Sequence, residues 1–171
     1  MRLANRLFVA SSLLVATTVL GLGAATGRIL RDGLEGEVAA GLEREARLVA
    51  ALLPADSAQW PDVARSLGAL VGHRVTLVDS SGTIRGDTDF DRGSLARLEN
   101  HGDRAEIRAA LDAGVGRDRR VSASTNQRQL YVAVRGGPPG LAAVRISASL
   151  ERVHAQVAAL QRAIVGAGLV A

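Results

Sequence analysis

The sequence predicts an α+β fold: a long N-terminal helix, an antiparallel sheet of about five strands with flanking helices, and a C-terminal exit helix. Three observations predict it. Leu30, Leu34, Val38, Leu42, Ala46, Val49 and Leu53 recur every three or four residues, which is one apolar stripe on a helix. Between Arg74 and Ala148 the period falls to two, in runs broken by Gly- and Pro-rich turns. From Leu150 onward the helical spacing returns.

Composition bounds the function. Hydrophobic residues make up 47% of the 171 residues and aromatics only 2%, so the core is built from Leu, Val, Ile and Ala. All 21 basic residues are Arg, and the net charge of +4 is spread without a basic run, so no nucleic-acid partner is expected. The absence of Cys excludes a disulfide framework, a thiolate metal site and a Cys nucleophile.

Taken in order, residues 1–6 are a short tail with Arg2 and Arg6, expected in the cytoplasm. Leu7–Gly27 carries no charge and supplies the ~20 residues that a membrane-crossing helix needs. The Arg residues on its two sides are balanced, so the positive-inside rule votes weakly. A cleaved signal peptide, with Gly23 and Ala25 before the cut, is the alternative; its apolar region is usually about 7–15 residues, shorter than this run. The membrane is therefore the first expected partner. The apolar stripe then continues as a stalk helix to Leu53, where Pro54 ends it. Trp60-Pro61-Asp62 opens a shorter helix to about Val71, with Pro61 suited to a first turn.

Arg74–Asp79 alternates and is β-branched, Ser80-Ser81-Gly82 is a turn, and Thr83–Asp87 returns as a hairpin. Thr88–Gly102 reads as a polar stretch. Asp103 is suited to cap a helix from Arg104 to Ala113, closed by Gly114. Arg119–Thr125 and Gln129–Arg135 alternate around Asn126-Gln127. Gly136–Gly140 is a turn, and Leu141–Ala148 is the fifth strand. Ser149 is placed to cap the exit helix, residues 149–162. Leu150, Val153, Val157, Leu160 and Ile164 step by three and four, the seam of a coiled coil. Residues 163–171 carry no charge and read as the start of a second membrane span; an apolar helix packed on the core is the alternative.

Motifs for catalysis are missing. No phosphate-binding G-x-x-x-x-G-K-[ST] and no G-x-S-x-G occurs, and the three His have no zinc-ligand spacing. His154, in V-H-A-Q-V, does not sit in a phosphoacceptor motif. Asp87, Asp89 and Asp91 are spaced like the opening of a calcium loop. The sixth and twelfth places, where such a loop needs Gly and Glu, hold Arg92 and Leu98. They remain weak metal candidates beside the reading as solvated turn carboxylates. Asn100, His101, Asp103 and Arg104 group side chains able to hydrogen-bond a small ligand; the alternative is that they brace the helix beginning near Arg104. No cofactor is called for.

Three stretches carry a family resemblance. R-V-T-L-V-D-S-S-G-T-I-R-G-D-T-D, Arg74–Asp89, is similar to a hairpin that ends a strand in Asp, turns on Gly and leads into D-S/T-D. E-N-H-G-D-R-A-E-I-R-A-A-L-D-A-G-V-G, Glu99–Gly116, is similar to N-H-x-D-R-P-E-[IV]-x-x-A-L-x-G-x-G, with Ala105 in place of the usual Pro. L-Y-V-A-V, Leu130–Val134, leads into a Gly/Pro turn and a strand. Their order resembles the extracytoplasmic PAS-like sensor domains, PDC or single Cache, of two-component sensor histidine kinases, nearest the phosphate-responsive group. The resemblance implies a sensor domain at residues 28–148, outside the bacterial inner membrane, and a ligand pocket between the sheet and the segment crossing it. A homodimer is expected because a two-state signal through single helices needs a partner to move against, and the ligand is an unidentified small molecule or partner protein. HAMP, phosphoacceptor and ATP-binding domains would follow; they are absent from these 171 residues, and a response regulator would be reached only through them. Another receptor output, chemotactic or cyclic-dinucleotide, and a secreted or anchored binding domain without kinase output, are the alternatives.

Overall fold

The computed structural model describes residues 3–122 and 126–151, together with residues 155, 158, 159, 162, 163 and 166. The chain divides into two units, residues 37–150 and residues 1–36 with 151–171. Helix α1 runs Leu3–Leu52. It contains the apolar run read from the sequence, and by length and composition it is able to cross a membrane.

Within residues 37–150 the elements follow as α2 (Trp60–Val71), β1 (Arg74–Asp79), β2 (Ile84–Asp87), α3 (Arg92–Leu95), α4 (Ala105–Ala113), β3 (Val115–Val121), β4 (Arg128–Arg135) and β5 (Leu141–Ser149). The five strands form one antiparallel sheet in the order β2-β1-β5-β4-β3. The α+β expectation holds. Alternation along the strands sorts the two faces. Val75 and Leu77 of β1, Val144 and Ile146 of β5, and Leu130, Val132 and Val134 of β4 form one core with Ala39, Leu42, Ala46 and Val49 of α1 and with Trp60 and Ala64 of α2. Trp60 anchors the entry to α2, its indole N–H donating to the Pro54 carbonyl at 2.9 Å. Pro61 occupies the first turn as expected.

The opposite face is smaller and more polar. Val78, Ala133 and Ala143 pack there against Ile107 and Ala110 of α4. Gly116 permits this contact, because a Cβ at that position would run into the backbone of Glu106 and lie 2.7 Å from the Ala110 nitrogen. Gly114 closes α4 in the left-handed conformation, as the sequence suggests.

Four local readings change. Arg104 is the N-cap of α4 and makes no side-chain cap hydrogen bond, so Asp103 is not the cap. The polar stretch Thr88–Gly102 contains α3, whose cap is Asp91 Oδ1, accepting from the Ser94 N–H at 2.8 Å. β3 begins at Val115 rather than Arg119. It is the edge strand V-G-R-D-R-R-V, and charged side chains on both of its faces erase the apolar alternation. Ser149 ends β5 instead of opening a helix, and Leu150 is 2% exposed within the core. Leu150 is thus engaged inside its own domain. The other seam positions, Val153, Val157, Leu160 and Ile164, lie outside the described residues, as does His154. Glu151, Ala155, Ala158, Ala159, Arg162, Ala163 and Gly166 are helical.

Candidate functional site

The polar face of the sheet and the N-terminus of α4 place four guanidiniums around one cavity. The register sets Arg145 of β5 opposite Thr76 of β1 on one side and Ala133 of β4 on the other. Arg145 therefore sits mid-sheet, with its side chain only 4% exposed. It donates from Nη2 to Thr76 Oγ1 at 3.0 Å and from Nη1 to Glu106 Oε1 at 3.3 Å. Its Nε has no hydrogen-bond partner among the described residues.

Glu106, in the first turn of α4, is fully buried. Arg120 of β3 grips it with two parallel bonds, Nη1 to Oε2 at 2.8 Å and Nη2 to Oε1 at 2.9 Å. Burial alone would raise the Glu106 pKa. The Arg120 bonds, its own backbone N–H and the charges of Arg120 and Arg145 outweigh that, and the pKa falls below the ordinary value. Burial opposes the Arg120 charge too, but bonds to Glu106 and Asp118 raise its pKa. At Arg145 the balance reverses: burial dominates, Glu106 compensates only in part, and the pKa is lowered.

From Arg145 the network continues across β1. Thr76 Oγ1 accepts from Arg145 and donates to Asp87 Oδ2 at 2.7 Å. Asp87 is held by Arg74, Nε to Oδ1 at 3.0 Å and Nη2 to Oδ2 at 3.1 Å. The Tyr131 ring lies between cations, with its centroid 3.8 Å from the Arg120 guanidinium carbon and 5.3 Å from that of Arg145.

The segment between β2 and α4 crosses over this face. Asn100 ties it to the hairpin turn, its amide donating to the Ser81 carbonyl at 2.7 Å, while the His101 N–H donates to the Gly82 carbonyl at 2.8 Å. Between the segment and the sheet is a cavity of about 250 Å³, lined by Arg74, Arg104, Arg120, Arg145, His101 and Tyr131, with Phe90 and Leu98 beside them. His101 Nδ1 lies 2.8 Å from the Glu99 carbonyl oxygen. Burial, then the charge of Arg145, moves the His101 pKa down to about 4, so the ring is neutral at pH 7.

Of the four residues grouped from the sequence, His101 and Arg104 line the cavity. Asn100 braces the turn and Asp103 is exposed. The three aspartates do not converge. Asp87 is buried on Arg74 and Thr76, Asp89 pairs with Arg74 at 3.3 Å, and Asp91 caps α3. Asp87 is therefore buried and bonded rather than solvated, and no group of three His, Asp or Glu able to hold a metal occurs among the described residues. A larger cavity, about 550 Å³, lies beside Trp60 and Pro139. Its guanidiniums are already engaged, Arg85 with Asp79 at 2.6 Å and Arg92 with Asp62 at 3.0 Å and the Ala58 carbonyl at 2.8 Å. The smaller cavity, with a buried orphan donor, is the better site.

The fold is shared with solved sensory and ligand-binding domains. The V. cholerae histidine kinase DctB sensor domain is similar with a TM-score of 0.59 and 13% identity, over 85% of this chain and 59% of that one. The ligand-binding domain of the Pseudomonas aeruginosa PAO1 amino acid chemoreceptor PctC, in complex with GABA, gives 0.53 and 22% identity over 83% and 63%. The sensory domain of a Campylobacter jejuni chemoreceptor gives 0.56 and 10% identity over 82% and 64%. The chain thus spans about three-fifths of the length of these structures. No protein-family model matches the chain, and no curated protein matches it.

Proposed function

We propose that this chain is the signal-sensing and transmembrane-transducing portion of a two-component sensor histidine kinase in the inner membrane of a bacterium. Residues 28–148 face outward between a span at 7–27 and a second span beginning at 163, and the receptor acts as a homodimer. The under-sheet cavity is the input site. The carrying observation is a cavity lined by a buried cation whose Nε has no partner among the described residues, on a fold otherwise used by sensory domains. Helix α1 supports the output route, because the same unbroken helix contains the apolar run and the core residues Leu42, Ala46 and Val49. Two packings of such a helix, differing by a few kcal/mol, suffice to convey a binding event.

A second reading keeps this input role and exchanges the output for a chemotactic one, supported by the chemoreceptor domains of the same fold. The reading frame beyond codon 171 separates the two: a phosphoacceptor-helix domain supports the kinase, a chemotaxis signalling domain its rival. The input role is tested by fusing residues 1–171 in frame to the HAMP and kinase domains of a characterised receptor. Phosphorylation that responds to a metabolite library, and that Leu98→Trp silences by filling the cavity, is the expected result. Phosphorylation that stays constant across the library would overturn the proposal.

A further inference from the structure

Resting on that reading of the cavity as the input site, we infer that the edge strand β3 carries the state of the cavity to helix α1, and that Arg117 and Glu43 are the positioning pair through which it does so. The route runs from Arg120, on the cavity side of β3, to Arg117 on its other side, and so to Glu43 of α1.

The strand is built to face both ways. Arg120 lines the cavity and closes on Glu106, the carboxylate that Arg145 also shares. Arg117 stands opposite Val132 in the β3–β4 register, and Val132 belongs to the core under α1. Residues directly opposite one another share a face, so Arg117 lies on the α1 side, where its Nη2 donates to Glu43 Oε2 at 3.0 Å. β3 is also weakly held. It is an edge, paired with β4 alone, and Gly116 is its one buried residue. An element with so few buried contacts shifts at lower cost than the central strands β1 and β5.

Glu43 is placed to register such a shift. At ~100° per residue, Glu43 and Glu45 flank the α1 core residues Leu42 and Ala46 on opposite sides. Glu45 meets His73 Nδ1 at 2.8 Å, just before β1, so α1 is tethered on both flanks. Glu43 Oε1 is held by Arg47, one turn on, at 2.9 Å, while Oε2 takes Arg117. These bonds, that of Arg47 first, keep the Glu43 carboxyl below its ordinary pKa. The carboxylate therefore stays compensated when Arg117 withdraws. Helix α1 then has two arrangements, latched to β3 or held on the His73 flank alone. Arg117 is half exposed, so the latch is weak enough to open and close.

The test follows amide hydrogen exchange by mass spectrometry in the full chain in detergent micelles. Residues 39–52 of α1 are compared with α2, which packs on the same core and serves as the internal reference. Arg120→Lys keeps a charge beside Glu106 but loses the two-armed grip. It should speed exchange in 39–52 at least about three-fold relative to α2, whereas plain loss of stability would speed both alike. In a chain that carries Arg117→Gln, Arg120→Lys should add nothing further at α1. The swap of Glu43→Arg with Arg117→Glu should restore the response. Glu45→Gln, on the other flank, should leave it in place. Should Arg120→Lys not fold, Leu98→Trp fills the cavity without breaking an ion pair and should show the same dependence on Arg117. A response that persists with Arg117→Gln, or none in the parent chain, overturns the inference. In the kinase fusion, a metabolite response that ignores Arg117→Gln overturns it as well. A fusion that responds to no metabolite, with the exchange coupling present, overturns the input reading and leaves the β3 route standing.

Discussion

Arg145 on β5 donates to Glu106 on α4 at 3.3 Å, and this contact ties the middle of the sheet to the helix that covers its polar face. Both side chains are buried, Glu106 completely. Glu106 also closes on Arg120 of the edge strand, so one carboxylate holds together α4, β3 and β5.

Glu106→Gln should therefore be among the most destabilising single changes on this face. It leaves Arg145 and Arg120 sharing a neutral amide in place of a charge, and breaking one side of a buried ion pair costs on the order of 3–5 kcal/mol. The comparison is Arg92→Ala, which removes the exposed Arg92–Asp62 pair, 57% and 66% exposed, and should cost below ~1 kcal/mol. Denaturant titration of both variants checks the contrast. Equal, small losses would mean that water reaches Glu106.

Stability should fall as the pH drops from about 6.5 toward about 4. His101 has a folded pKa of about 4, below its ordinary value of 6.5, so through this window the unfolded chain binds the extra proton and is favoured. Burial and the Arg145 charge are what oppose protonation in the folded state. Glu106, with its own lowered pKa, adds a further loss only below about 4.5. Thermal melting across this range should show a shallower slope between pH 6.5 and pH 4 for His101→Phe than for the wild type. Identical slopes would place His101 in solvent in both states.

The topology proposal predicts that a reporter active only outside the cytoplasm, fused after Leu53, is active, and that the purified chain keeps its amino terminus. Leu7–Gly27 is long enough to span and lies within one helix with no break before Leu52. A mature terminus near Thr26 would establish a cleaved leader instead.

Elements with an apolar period were readable. β1 and β5 are apolar runs with a partial period of two, and α2 is bracketed by Pro61 and Gly72. β3 was not, because an edge strand directs Arg117 to Glu43 on one face and Arg120 to Glu106 on the other, and each charge looks solvated until its partner is known. Half of the site was legible: His101 and Arg104 stand in a recognisable polar cluster. Its centre was hidden by the even spread of Arg. The available signal was Arg145 itself, a charge in the middle of L-A-A-V-R-I-S-A-S, where a central strand with covered faces demands apolar residues or a buried partner. Glu106 gave a fainter one, a carboxylate beside Ile107 on the buried side of α4.

The seam makes the last prediction, and burial of Leu150 changes its shape. Leu150 belongs to the core, so a Cys there should cross-link poorly between protomers. If the exit helix pairs in the homodimer, the contact begins at Val153 and continues through Val157, Leu160 and Ile164, the positions that share one helical face. Single Cys residues placed from Leu150 to Ile164 in membranes should give yields peaking at these four, with minima between. Val157→Glu should weaken the dimer by on the order of a few kcal/mol, because it sets like charges against each other in an apolar seam and loses burial. Gln156→Glu, off the seam, should be far milder. A peak on the His154 face, or a flat profile, would show that the exit helix packs elsewhere and that the signal does not leave by this route.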